Sequence, residues 1–162
     1  MGIWRGLDGV VRGIVAAGQW LVLPLMVLLF LQWPLRDLVR AYSRDANDLG
    51  QVMFALYVAI SVTAATRAGT HLAADLLARN YSVRTRRWLS LAGAVLGLAP
   101  WALFILIAYW STVLQSVLGL ERFPDTSNAG YFLVKFALAL MAFLILAQVA
   151  LDIVRFRGKD ER

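Results

Sequence analysis

Four long stretches of this chain carry almost no charge, and that constrains the fold more than any other feature. Arg12 and Arg36 enclose 23 uncharged residues, Gly13 to Leu35. Asp48 and Arg67 enclose 18, Arg87 and Glu121 enclose 33, and Asp125 and Asp152 enclose 26 broken only by Lys135. A helix needs about 20 apolar residues to cross about 30 Å of hydrocarbon. In lipid the backbone must satisfy its own hydrogen bonds, and the run WLVLPLMVLLFLQW has none of the alternation a barrel strand requires. The reading is an all-α integral membrane protein, one membrane domain over 1–162. Its four spans fall at about 13–34, 48–67, 89–114 and 130–154. The first apolar run is longer than a signal-peptide core and no small-x-small site closes it, so it is expected to remain as an anchor. Pro24 and Pro100 fall inside spans one and three and are expected to bend them.

Composition removes whole classes. The chain is 60% hydrophobic with 16% charged residues, and 18 kDa of soluble fold has too little interior for that much apolar surface. The net charge of +6 is therefore read loop by loop, not as a nucleic-acid footprint. Eleven basic residues fall in the N-terminal segment, the second loop and the tail, against four on the other side. The positive-inside rule then puts both termini and the second loop in the cytoplasm. Cysteine is absent and His71 is the single histidine, which argues against a thiolate metal site, a two-histidine haem or a zinc cluster, so no cofactor is expected. No nucleophile–base set is identifiable, and no enzyme activity is expected.

The polar segments supply the candidate sites. In PLRDLVRAYSRDANDLGQ, Leu35, Leu38, Val39 and Tyr42 recur at helical spacing, with Arg36, Arg40 and Arg44 on the other face. This predicts an amphipathic helix at the interface between spans one and two. It either seals that interface or braces a larger partner. Asp45, Asn47 and Asp48 are expected to cap the next helix. In TRAGTHLAADLLARN, Arg67, His71, Asp75 and Arg79 recur every four residues and form one stripe if span two continues as a helix. That stripe reads as a polar clasp at the membrane rim or as a subunit contact. Lys135 lies one turn inside span four and either snorkels outward or meets a partner carboxylate or lipid phosphate. Gly93 and Gly97 form a small-x-x-x-small face on span three, while Ser61, Thr63 and Thr66 offer interhelical hydrogen bonds. No carboxylate lies well inside a span, so the chain looks poorly equipped to carry an ion-coupled substrate alone.

The four-span layout with both ends inside, and Arg67-x-Gly69-x-His71-x-x-x-Asp75 followed by leucine at the close of span two, resembles the small permease (Q, DctQ-like) subunit of TRAP transporters, the tripartite ATP-independent periplasmic transporters. Family members often carry Trp-x-x-Glu just before span two; here the stretch is DANDLGQ, with Asp48 at roughly the acidic position. The resemblance implies a multi-pass protein of the bacterial inner membrane that lies among membrane lipids. Its partners would be a large permease subunit (M), moving as an elevator, and a periplasmic substrate-binding protein (P). The small subunit would be a scaffold in sodium-coupled uptake of a carboxylate or sulfonate. The rival readings are a stand-alone small transporter or channel and a membrane anchor of a redox complex with a haem shared between chains.

Overall fold

The computed structural model describes residues 2–38, 43–68 and 81–160. They form α1 (Gly2–Gln19), α2 (Val22–Asp37), α3 (Arg44–Ala68), α4 (Val83–Gly93), a wide π turn (Ala94–Leu98), α5 (Ala99–Leu118) and α6 (Tyr131–Asp160). Four helical rods are long and apolar enough to cross a membrane: Ile3–Asp37, Arg44–Ala68, Val83–Leu118 and Tyr131–Phe156. Among the described residues the extended backbone is limited to one isolated bridge between Arg122 and Ala129, in the loop before α6. The all-helical fold expected from the uncharged windows is present. The first three rods are longer than their apolar windows because the polar flanks stay helical.

Each interruption follows from a proline. Pro24 has no N–H, and its ring crowds the carbonyl four residues back, which belongs to Trp20. The first rod breaks there. Trp20, Leu21 and Leu23 bond to carbonyls only three residues back, and α-type bonding resumes with the Leu25 amide on the Leu21 carbonyl at 3.2 Å. Pro24 then lies in the first turn of α2, where an N–H would have no partner in the helix. Pro100 is handled differently. The turn ahead of it widens, so that the Ala99 amide reaches the Ala94 carbonyl five residues back, and Pro100 enters the first turn of α5. Pro34, at the edge of the first apolar window, is carried inside α2.

α6 is the centre of the bundle and packs against both α3 and α5. Its Ala142, Ile145 and Val149, spaced on one face, meet Ala94, Ala102 and Ile105 of the third rod. Ala102 and Ala142 are fully buried, which lets the helix axes approach closely. In a bilayer that close packing, rather than any hydrophobic drive, holds helices together. The first rod runs antiparallel to α3. Gly18 stands opposite Ile60, and a Cβ at Gly50 would lie 3.0 Å from Leu28 Cδ2.

Two glycine sites in this fold behave in opposite ways. A Cβ at Gly18 would run into the Ile60 side chain, whereas one at Gly93 or Gly97 meets nothing within 4 Å. Gly18→Ala is expected to destabilise the isolated chain by about 1–3 kcal/mol through overpacking. Gly93→Ala and Gly97→Ala should leave its detergent melting temperature unchanged or raised, since alanine is the better helix former. Thermal melts of the three variants check this.

Candidate functional site

Two polar clusters tie the rods together, one at each end of the bundle. Along α3, Asp48 and Arg67 are 19 residues apart, which is about 28 Å of helix. That matches the hydrocarbon thickness of about 30 Å, so each cluster sits at a rim.

At one rim the node is Arg67, the last charged residue of α3. Its Nη1 donates to Gln148 Oε1 of α6 at 2.9 Å, and its Nη2 donates to Asp8 Oδ1 of α1 at 3.0 Å. One guanidinium thus joins three rods. Arg155 of α6 donates to the same Asp8 oxygen at 2.6 Å, and Arg12 donates to Asp8 Oδ2 at 2.8 Å. Gln148 is fully buried, and its Nε2 donates to Asp152 Oδ1 at 2.8 Å, so both ends of its amide are used. A planar guanidinium suits this role because its donors point in fixed, divergent directions. Its side chain is 17% exposed, as is that of Asp8, so this pair is shielded well beyond an ordinary surface ion pair.

At the other rim, Asp48 is 7% exposed within the start of α3. Its carboxylate accepts from the Thr126 hydroxyl and, at 3.1 Å, from Asn128 Nδ2, while Asp45 accepts from the same Asn128 amide. The two aspartates hold the loop before α6. The expected caps are therefore corrected. Ser43 Oγ takes the Ala46 amide at the helix start, because α3 begins at Arg44 and both aspartates already lie inside it. Arg44, Asn47, Asp48, Asp125 and Thr126 line a cavity of about 340 Å³ at this rim. The loop is shaped by Gly130, whose φ of 136° disfavours any side chain, and by the buried ring of Phe123, which meets Tyr131 edge-on at 5.4 Å.

Lys135 also points to this rim. Its Nζ lies 2.8 and 2.6 Å from the two carboxylate oxygens of Glu121 and 5.4 Å from the Tyr131 ring. The carboxylate it meets comes from its own chain. The Lys135 ammonium holds the Glu121 carboxyl below its ordinary value, the Ser116 hydroxyl assists, and partial burial opposes both.

Of the other expected site residues, Arg36 closes α2 and donates to Asp37 at 2.9 Å, and Arg44 is the first residue of α3. Arg40 lies outside the described residues, and so does the middle of the expected interfacial helix. Gly69, His71 and Asp75 lie outside them as well. Gly93 and Gly97 are on the outer surface of the third rod. Thr66 donates to the Val62 carbonyl of its own helix at 2.9 Å, and the buried Thr63 hydroxyl has no partner among the described residues.

Asp8, Glu121, Gln148 and Arg155 were not singled out from sequence. Gln148 had a visible signal, since it is the one polar side chain in the run Phe136–Leu151. Asp8 had a weaker one, standing four residues before Arg12 at helical spacing.

Two outcomes follow from this geometry. Arg67→Ala and Asp8→Ala should each lower stability in detergent by about 1–3 kcal/mol, the cost of stranding a charged hydrogen-bonding partner. The double variant should cost less than the sum, because the two residues share one contact. Glu121, whose folded-state affinity for protons is reduced, contributes stability above the ordinary carboxyl value of 4.5 and loses it as pH falls below that. Melting temperatures measured from pH 6 to pH 3 should fall less for Glu121→Gln than for the parent chain.

A family model described as "Tripartite ATP-independent periplasmic transporters, DctQ component" matches residues 20–158. The matched region contains Arg67, Gln148 and Arg155 and begins after α1, which supplies Asp8. No curated protein and no solved structure matches the chain.

Proposed function

The chain belongs to the DctQ family, the small membrane component of TRAP transporters, and on that premise we propose that it is the fixed scaffold of a sodium-coupled uptake system for an organic acid. The family is a transporter component and not an enzyme family. In this reading the chain lies in the bacterial inner membrane, with its arginine-rich rim in the cytoplasm. It holds still a large permease subunit, which carries the substrate and sodium sites and moves as an elevator. A periplasmic binding protein delivers a carboxylate or sulfonate to that subunit.

The observation that carries the scaffold role is the use made of charge. Lys135, the one charge within the four apolar windows, is neutralised by Glu121 of the same chain. Arg67 and Asp8 likewise pair with each other across two helices. Ion-coupled carriers place ionisable or unwound polar elements at mid-membrane, on the path of the ion. Here Arg67, Arg155 and Lys135 lie toward the rims and tie α6 to α3, to α1 and to the loop before it. A wall against which another subunit slides must keep its helices in register, and ties at both ends provide that.

The test is co-purification of the full chain, tagged at Arg162, from its native membranes in mild detergent. A large multispan permease should accompany it. Arg67→Ala should reduce recovery of the complex or its transport rate several-fold, while the sodium concentration for half-maximal uptake stays unchanged. A shifted sodium dependence with normal assembly would remove the scaffold role. A chain that stays alone at every detergent strength would point to the stand-alone transporter.

A further inference from the structure

We propose that the start of α4 is a binding site for the headgroup of an acidic phospholipid, made by Arg84, Arg86 and Arg87 with Trp88 beside them. The site is separate from the clasp around Arg67 and does not depend on the identity of any protein partner.

Three observations converge on it. The first is unbalanced charge. At this rim the carboxylates Asp8 and Asp152 are already engaged by Arg12, Arg67, Arg155 and Gln148. Among the described side chains no hydrogen bond or ion pair joins a carboxylate to the α4 arginines, and every residue from Tyr81 to Ser90 is exposed. The opposite rim differs. There Asp37 pairs with Arg36 and Glu121 with Lys135. Three guanidiniums within four positions, lying in the first turns of a helix capped by Ser82, repel one another and the helix dipole. An external anion relieves both effects.

The second observation is depth. Trp88 to Leu118 is about 45 Å of helix, which equals a bilayer with its headgroup layers at about 40–45 Å. With Leu118 at the far rim beside the Glu121 loop, Trp88 sits at the headgroup layer of this one, and the Arg84–Arg87 turn at its outer edge reaches back to lipid phosphates through its long side chains. The third is anchoring. Trp88 packs edge-on against Phe156 of α6 with ring centroids 4.6 Å apart, so the trio is held to the bundle while the indole remains 51% exposed. Indoles prefer the headgroup level, and guanidiniums bind phosphate oxygens in pairs. The ligand that joins a fixed phosphate to this depth is a lipid, and the excess positive charge selects a lipid with net negative charge.

The test uses the purified full chain in a neutral detergent, titrated with phosphatidylglycerol or with phosphatidylcholine of the same acyl chains. Retained lipid is read by native mass spectrometry. Phosphatidylglycerol should be retained at least about tenfold better, and added salt should weaken it, as expected for charge-driven binding at a headgroup layer. The triple variant R84Q/R86Q/R87Q should lose that preference with unchanged helix content. R84K/R86K/R87K should keep most of it, and Arg5→Gln, at the same rim, should keep all of it. Equal retention of the two lipids by the parent chain would overturn the proposal without recourse to any variant. So would a preference that survives in the glutamine triple variant. Displacement by millimolar inorganic phosphate as effective as by lipid would also overturn it, since the site would then take a free anion.

Discussion

A charged side chain near hydrocarbon must find a partner or leave, and in this chain it finds one on another helix. Arg67 is the centre of that solution. Its guanidinium ends span two and is bound by α1 through Asp8 and by α6 through Gln148. Two weaker constraints thereby reinforce each other. Packing between lipid-embedded helices is broad and poorly directional, whereas a forked donor accepts partners in few directions. Alanine-rich contacts bring α5 and α6 close, and the polar tie fixes the depth at which α1 and α3 meet α6. The far rim repeats the scheme with a loop in place of a helix, where Asp45 and Asp48 hold Thr126 and Asn128.

The same rule explains what could be seen in the sequence. Hydrocarbon thickness allows few span lengths, so four uncharged windows were enough to place four helices and to foresee trouble at Pro24 and Pro100. The form of that trouble was not visible. One proline opens the rod at Trp20 and Leu21, and the other is absorbed by a wider turn. Gly18 is in close contact with Ile60 beside the first, and the turn before the second packs Ala94 into the core while Gly97 faces outward.

The sites were legible to a lesser extent. Arg67 stood out because it ends an apolar window, and Asp48 because it begins one. Lys135 was recognised as the odd charge, and its preference for the nearer rim followed from the length of its stem. Glu121 as its partner depended on the path of the 119–130 loop, including left-handed backbone at Leu120 and Ser127 that no periodicity announces. Asp8 and Arg155 are 147 positions apart and meet only because the first and last rods return to one rim. Pairings of that kind belong to topology and leave no local trace.

The π turn at Ala94–Leu98 has a consequence for how the third rod meets its surroundings. A wide turn holds one residue more than an α turn, and one residue is about 100° of rotation. The face of α4 that carries Arg84, Arg87 and Trp88 is thus out of phase with any face of α5 by roughly that angle. A single helical wheel drawn from Val83 to Leu118 would misplace the faces of one half by about a quarter turn. The insertion uncouples the two halves: the basic end can turn toward the membrane surface while the aromatic residues Trp101, Phe104 and Trp110 keep their own bearing. One added residue at the middle of a helix acts here as a swivel fixed at a single setting.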